Sequence, residues 1–151
     1  EIQTLKHYLE LESLRLPNRF AYRIEVPDSL DPSFVSLPPM LIQPHVENAI
    51  WHGFNGLEKK GELTLAFNED EDDLIVRITD NGIGRGEAAQ RKPHGHKSKG
   101  TDNVRGRLEL LSTLYGEAFS IQIKDLKNAH GNAEGTLVIL RIPVVGLIPT
   151  Q

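Results

Sequence analysis

The chain has 151 residues, 38% of them apolar and 25% charged, enough for one compact domain with its own core and too few for two. It has no cysteine, which excludes disulfides and thiolate metal sites, and its formal charge of −4 leaves no basic excess for nucleic-acid phosphates. No apolar run approaches the roughly 18 residues that span a bilayer. The first residue is Glu rather than Met, so the chain reads as a piece of a longer protein, and an upstream leader or membrane span stays open.

The opening EIQTLKHYLELESLRL sets Ile2, Leu5, Leu9 and Leu16 near a helical repeat with charges between them, which predicts an amphipathic helix that Pro17 ends. FAYRIEV alternates as a strand does, and the prolines and serines of VPDSLDPSFVSLPP make a connection. A central helix then starts near Pro39 or Pro44; a start at Pro39 would require a bend at Pro44. In its core stretch, PHVENAIWHGF, about 100° per residue puts Val46, Ala49, Ile50 and Gly53 on one side with Ile42. Gln43, Glu47, Asn48 and Trp51 fall on another. That polar side suits either solvent or a cleft floor.

GELTLAF and DLIVRITD read as a hairpin joined by the acidic NEDEDD. A basic stretch bearing Gly and His, RGEAAQRKPHGHKSKG, has no hydrophobic period and reads as a mobile loop. In TDNVRGRLELLSTLYG, Val104, Leu108, Leu111 and Tyr115 mark a helix with Thr101 or Asp102 as cap and Gly116 as stop. AFSIQIKD and GTLVILRIP close the chain as two strands around KNAHGNAE. This order predicts a mixed sheet with its helices gathered on one face.

Two stretches carry chemistry. ITDNGIG ends a strand on Asp80 and follows it with Gly82 and Gly84, which suits a ligand that approaches backbone closely and offers a donor to a carboxylate, such as an adenine amino group. The plainer reading is a type I′ turn at Asn81 and Gly82. The chain has no GxxxxGK[ST] loop, no GxGxxG after a first strand, no HExxH and no GxSxG, so a phosphate ligand needs another design. Asn48 suits a Mg²⁺ that takes one protein oxygen and keeps phosphate and water ligands. A closing basic loop would then supply position and charge for phosphoryl transfer.

LPPMLIQPHVENAIWHGF resembles the N box of the GHKL ATPase superfamily in the form typical of LytS/YehU-type sensor histidine kinases. TDNGIG resembles the G1 box, SKGTDNVRGRL the G2 region and GTLVILRIP the closing strand. LKHYLELESLRLPNRFAYRIEV is similar to the segment that precedes the N box. The resemblance spans nearly the whole chain with its motifs in order. It implies an α+β fold, a two-layer α/β sandwich of the GHKL type. Residues 1–17 would end an upstream dimerisation or linker helix, and residues 18–151 would be the ATP-binding catalytic domain.

Carried over by position, the resemblance implies Asn48 as the Mg²⁺ ligand, Asp80 as the adenine-reading acid, and Gly82 and Gly84 as the glycines against the nucleotide. Thr136 would lie near the adenine, and Asn103 and Arg107 near the phosphates. Nucleotide contacts would also include His52, Lys99, Gly100 and Thr101. Glu47, beside the metal Asn, is the catalytic candidate, although some GHKL ATPases hold their base one turn earlier, where this chain has Pro44.

Two departures stand out: Trp51 replaces a Lys, and SKGT replaces GxGL, with Lys97 and Lys99 expected to compensate at the phosphates. His45 and His52 are expected to be structural rather than phosphoacceptors. His94 and His96 lack a third ligand, which favours a solvated loop over a metal site. The implied function is transfer of the ATP γ-phosphate to a histidine outside this chain and on to a response regulator. The intact protein would be a homodimer joined by upstream helices, a membrane-anchored bacterial protein with this domain in the cytoplasm, without nucleic acid as partner. A degenerate nucleotide-binding regulatory module is the alternative, and a GHKL conformational clamp a third.

Overall fold

The computed structural model describes residues 2–30, 37, 40–85 and 99–143, with the backbone alone for 99–102. Helix α1 covers Ile2–Arg15, and its Ile2, Leu5 and Leu9 are buried. Strand β1 follows at Phe20–Glu25, its buried positions alternating with exposed ones.

Helix α2 spans Gln43–Asn48 with Pro44 in its first turn, where a missing N–H leaves no helical bond unmade. It runs directly into a π-helical turn at Ala49–Gly53, closed by the Phe54 amide donating to the Ala49 carbonyl at 2.9 Å. The expected uniform α-helical spacing therefore fails at its second half. One extra residue per turn shifts the phase of everything after Asn48. The two faces survive the shift: Ile42, Val46, Ala49 and Ile50 are buried, while Gln43, Glu47 and Asn48 are half-buried and Trp51 is exposed.

Strands β2 (Gly61–Asp70) and β3 (Asp73–Asp80) form the expected hairpin, but they reach further than their apolar runs. Asp70 pairs with Asp73, and only Glu71 and Asp72 make the turn, Glu71 at φ 55°. Arg141 offsets the acidic repulsion there, reaching Asp73 at 2.6 Å and Asp70 at 3.0 Å.

Helix α3 runs over Lys99–Tyr115, so Thr101 and Asp102 lie inside it rather than at its cap. Gly116, at φ 68°, stops it, its amide donating to the Ser112 carbonyl. Strands β4 (Ser120–Lys127) and β5 (Ala133–Pro143) complete the sheet.

The sheet order is β1-β2-β3-β5-β4, with β1 parallel to β2 and every other pair antiparallel. Leu63, Leu65 and Phe67 of β2, Leu74, Val76 and Ile78 of β3, and Val138, Leu140 and Ile142 of β5 share one face. They form a common core with Leu5 and Leu9 of α1, Val46 and Ile50 of the central helix, and Val104 and Leu108 of α3. The described helices thus cover one side of the sheet, giving a two-layer mixed α+β fold. Among the described residues no helix is long and apolar enough to cross a membrane.

Candidate functional site

The site grows from the ends of two elements. On the central helix, the polar side is ordered: Gln43 Nε2 donates to Glu47 Oε1 at 3.0 Å, and Asn48, half-buried, is the last residue before the π-helical turn. At the end of β3, Asp80 is only 9% exposed. Its Oδ1 accepts the Gly82 amide at 2.9 Å, and the Thr136 amide of β5, opposite Asp80 in the register, also donates to it. Burial pushes the Asp80 carboxyl above its usual range, while these two N–H groups pull it back. A nearly buried carboxylate with two backbone donors keeps further lone pairs that can accept an N–H.

The strand exit is clamped as well. Asn81 Oδ1 accepts the Glu62 amide at 2.6 Å and its Nδ2 donates to the Lys60 carbonyl at 3.3 Å. Asn81 and Gly82 both lack the positive φ of a type I′ turn, so the plainer reading of ITDNGIG does not hold.

Gly53 joins the two elements. The Ile83 amide donates to its carbonyl at 2.8 Å, and a Cβ built on Gly53 would lie 3.4 Å from Asp80 Oδ1 and 3.8 Å from the Asn48 carbonyl oxygen. Asp80, distant in sequence, is thereby brought against the turn that follows Asn48. Gly135 presses in from β5: at φ 125° it occupies a conformation that side chains avoid, and a Cβ there would overlap the Asp80 carbonyl. Gly53, Asn81 and Gly135 are absent from the residues expected to build the site. Their role depends on contacts between distant segments that no local pattern encodes.

The other expected residues fall as follows. Gly82 is buried against Gly53, Gly84 sits at φ 87°, and Thr136 is half-buried beside Asp80. His52 is exposed on the π-helical turn and engaged with a neighbour. Lys99, Gly100 and Thr101 form the first turn of α3, and Asn103 and Arg107 are exposed one turn apart further along it, on a helix that packs beside α2. His94, His96, Lys97 and Ser98 lie outside the described residues.

His45 is buried, as a structural residue would be, and among the described residues its Nε2 finds no hydrogen-bond partner. Burial, with the Arg105 charge second, pulls its pKa down to about 4. A cavity of about 470 Å³ opens nearby, lined by Leu57, Lys59, Asn81, Gly82, Ile83 and Glu134 among others; it shares the G1-like segment, but neither Asn48 nor Asp80 lines it.

No protein-family model matches the chain. It is 31% identical over 147 residues to the sensor protein LytS of Staphylococcus saprophyticus, across 95% of this chain and 24% of that protein. It is 27% identical over 126 residues to the Escherichia coli sensor histidine kinase YpdA, across 81% of this chain and 21% of that protein. The chain thus spans about a quarter of the length of these curated relatives. Among solved structures, Acinetobacter baumannii histidine kinase AdeS matches with a TM-score of 0.60 at 12% identity, over 95% of this chain and 62% of that one. Mycobacterial sensor histidine kinase MprB matches with a TM-score of 0.57 at 15% identity, over 94% of each chain. The chain is a homologue of the LytS-type sensor proteins over the part of their length that it spans, and it has the α+β, GHKL-type fold of histidine kinase catalytic domains.

Proposed function

We propose that the chain is the Mg·ATP-binding catalytic domain of a two-component sensor histidine kinase. The observation that carries this reading is the buried Asp80 carboxylate, held by backbone N–H groups of Gly82 and Thr136 and packed against Gly53 in the turn that follows Asn48. Mg·ATP, when bound, supplies the transferable γ-phosphoryl group and the cation that neutralises its charge.

Each residue then has a task. Asp80 accepts the amino N–H of adenine and leaves a purine that lacks this donor with an unpaired buried acid, a discrimination of about 1–3 kcal/mol. Gly82 lets the exit of β3 pack against Gly53, and Gly84, at φ 87°, lets the backbone turn beside the base. Thr136 fixes the Asp80 carboxylate, and His52 flanks the site. Asn48 offers its amide oxygen to Mg²⁺. Among the described residues no three His, Asp or Glu side chains converge, so most ligands of the ion would come from phosphate and water. Glu47, oriented by Gln43, is the acid nearest that position in sequence. Lys99, Gly100, Thr101, Asn103 and Arg107 bring the first half of α3 to the phosphates.

The acceptor histidine belongs to an upstream segment, and a response regulator receives the phosphoryl group from it. Residues 1–17, as the end of a dimerisation helix, would tie this domain to a second copy in the intact protein, with the domain on the cytoplasmic side. A second reading, a nucleotide-binding module without transfer, is favoured by Trp51, which stands where relatives of this kind place a Lys. Incubating a longer chain that includes the upstream helix with γ-labelled ATP separates the two. Acid-labile label on histidine supports the kinase; nucleotide binding without label supports the regulatory module.

A further inference from the structure

Trp51, the single tryptophan, stands in the π-helical turn between Asn48 and Gly53. It is 47% exposed, yet two side chains of α1 grip it. The Arg15 guanidinium lies 4.0 Å from the centre of its ring, and Glu12 holds that guanidinium at 2.6 Å. The Tyr8 hydroxyl, packed at the edge of the core, accepts the indole N–H. Leu9, beside Tyr8, is fully buried and fixes α1 to the sheet.

π-Helical turns are rare and occur mostly as single-turn departures inside α-helices. Contacts from outside decide where its residues point. We infer that Arg15 and Tyr8 are positioning residues for the nucleotide site: by holding Trp51 they set the turn that follows Asn48 and seats Gly53 against Asp80. The position and integrity of α1 thereby become coupled to nucleotide occupancy. Such coupling is reciprocal, so a displacement of α1 changes nucleotide affinity and bound nucleotide resists the displacement. The inference rests on reading Asn48 and Asp80 as the nucleotide site.

Trp51 reports directly, since no other tryptophan contributes emission. Titrating the 151-residue chain with Mg·ATP is expected to change that emission. Arg15→Ala is expected to keep the native circular dichroism but bind Mg·ATP about three- to tenfold more weakly, in line with loss of a partly desolvated cation–π contact. Arg15→Lys, which keeps a cation over the ring, returns the affinity to within about twofold of wild type. Tyr8→Phe weakens binding in the same direction. Wild-type affinity in Arg15→Ala overturns the inference and leaves the proposed function standing. Failure of Arg15→Lys to restore binding also overturns it, because a merely structural role would give that result. Absence of Mg·ATP binding to the wild-type chain overturns both.

Discussion

Gly82 and Gly53 lie back to back: a Cβ on Gly82 would come to 2.6 Å from the Gly53 carbonyl oxygen, the same atom that accepts the Ile83 amide at 2.8 Å. The end of the central helix and the exit of β3 are thus one joint, and the space between them has no room for a methyl group. Gly82→Ala must push these backbones apart, and it is expected to destabilise the chain by about 1–3 kcal/mol. Chemical denaturation measures the change.

Gly106 provides the contrast. It lies inside α3, and among the described residues nothing approaches the position that its Cβ would take. Gly106→Ala removes backbone freedom from the unfolded chain at no steric cost, so it is expected to stabilise by about 0.5–1 kcal/mol, read in the same denaturation experiment.

His45 predicts a pH dependence. Its folded pKa of about 4 lies below the ordinary value of 6.5, so the folded chain resists a proton that the unfolded chain accepts between these limits. Its contribution is therefore fully present above pH 6.5 and lost as pH falls toward 4, by up to roughly 3 kcal/mol. His45→Met removes the titrating group. The difference in stability between variant and wild type should widen in favour of the variant as pH drops from 6.5 to 4. A constant difference across that window contradicts the account.

The sequence shows some of these relationships and hides others, for physical reasons. FAYRIE and GELTLAF alternate visibly because one face of each strand meets the core and the other does not. Asp80, Gly82 and Gly84 stand out because an acid and two spaced glycines at a strand end are a local pattern. The π-helical turn is hidden, since ENAIWHG satisfies α-helical spacing equally well and only its contacts with Asp80–Ile83 and α1 distinguish the two. Gly135 and Asp80 illustrate the same limit: β5 must first pair with β3 before the missing Cβ at 135 acquires a reason. The grip of Arg15 on Trp51, and the parallel pairing of β1 with β2, likewise join segments whose partnership no local stretch announces.

Calorimetric titration of the chain and of Asp80→Asn with Mg·ATP and Mg·GTP tests the central claim most directly. The account predicts that wild type binds Mg·ATP in preference to Mg·GTP, and that Asp80→Asn loses at least about tenfold in Mg·ATP affinity, the loss of one buried charged acceptor. Its melting temperature should hold or rise, because a carboxylate whose charge burial disfavours is gone. Asp80→Asn binding Mg·ATP as tightly as wild type would contradict the account.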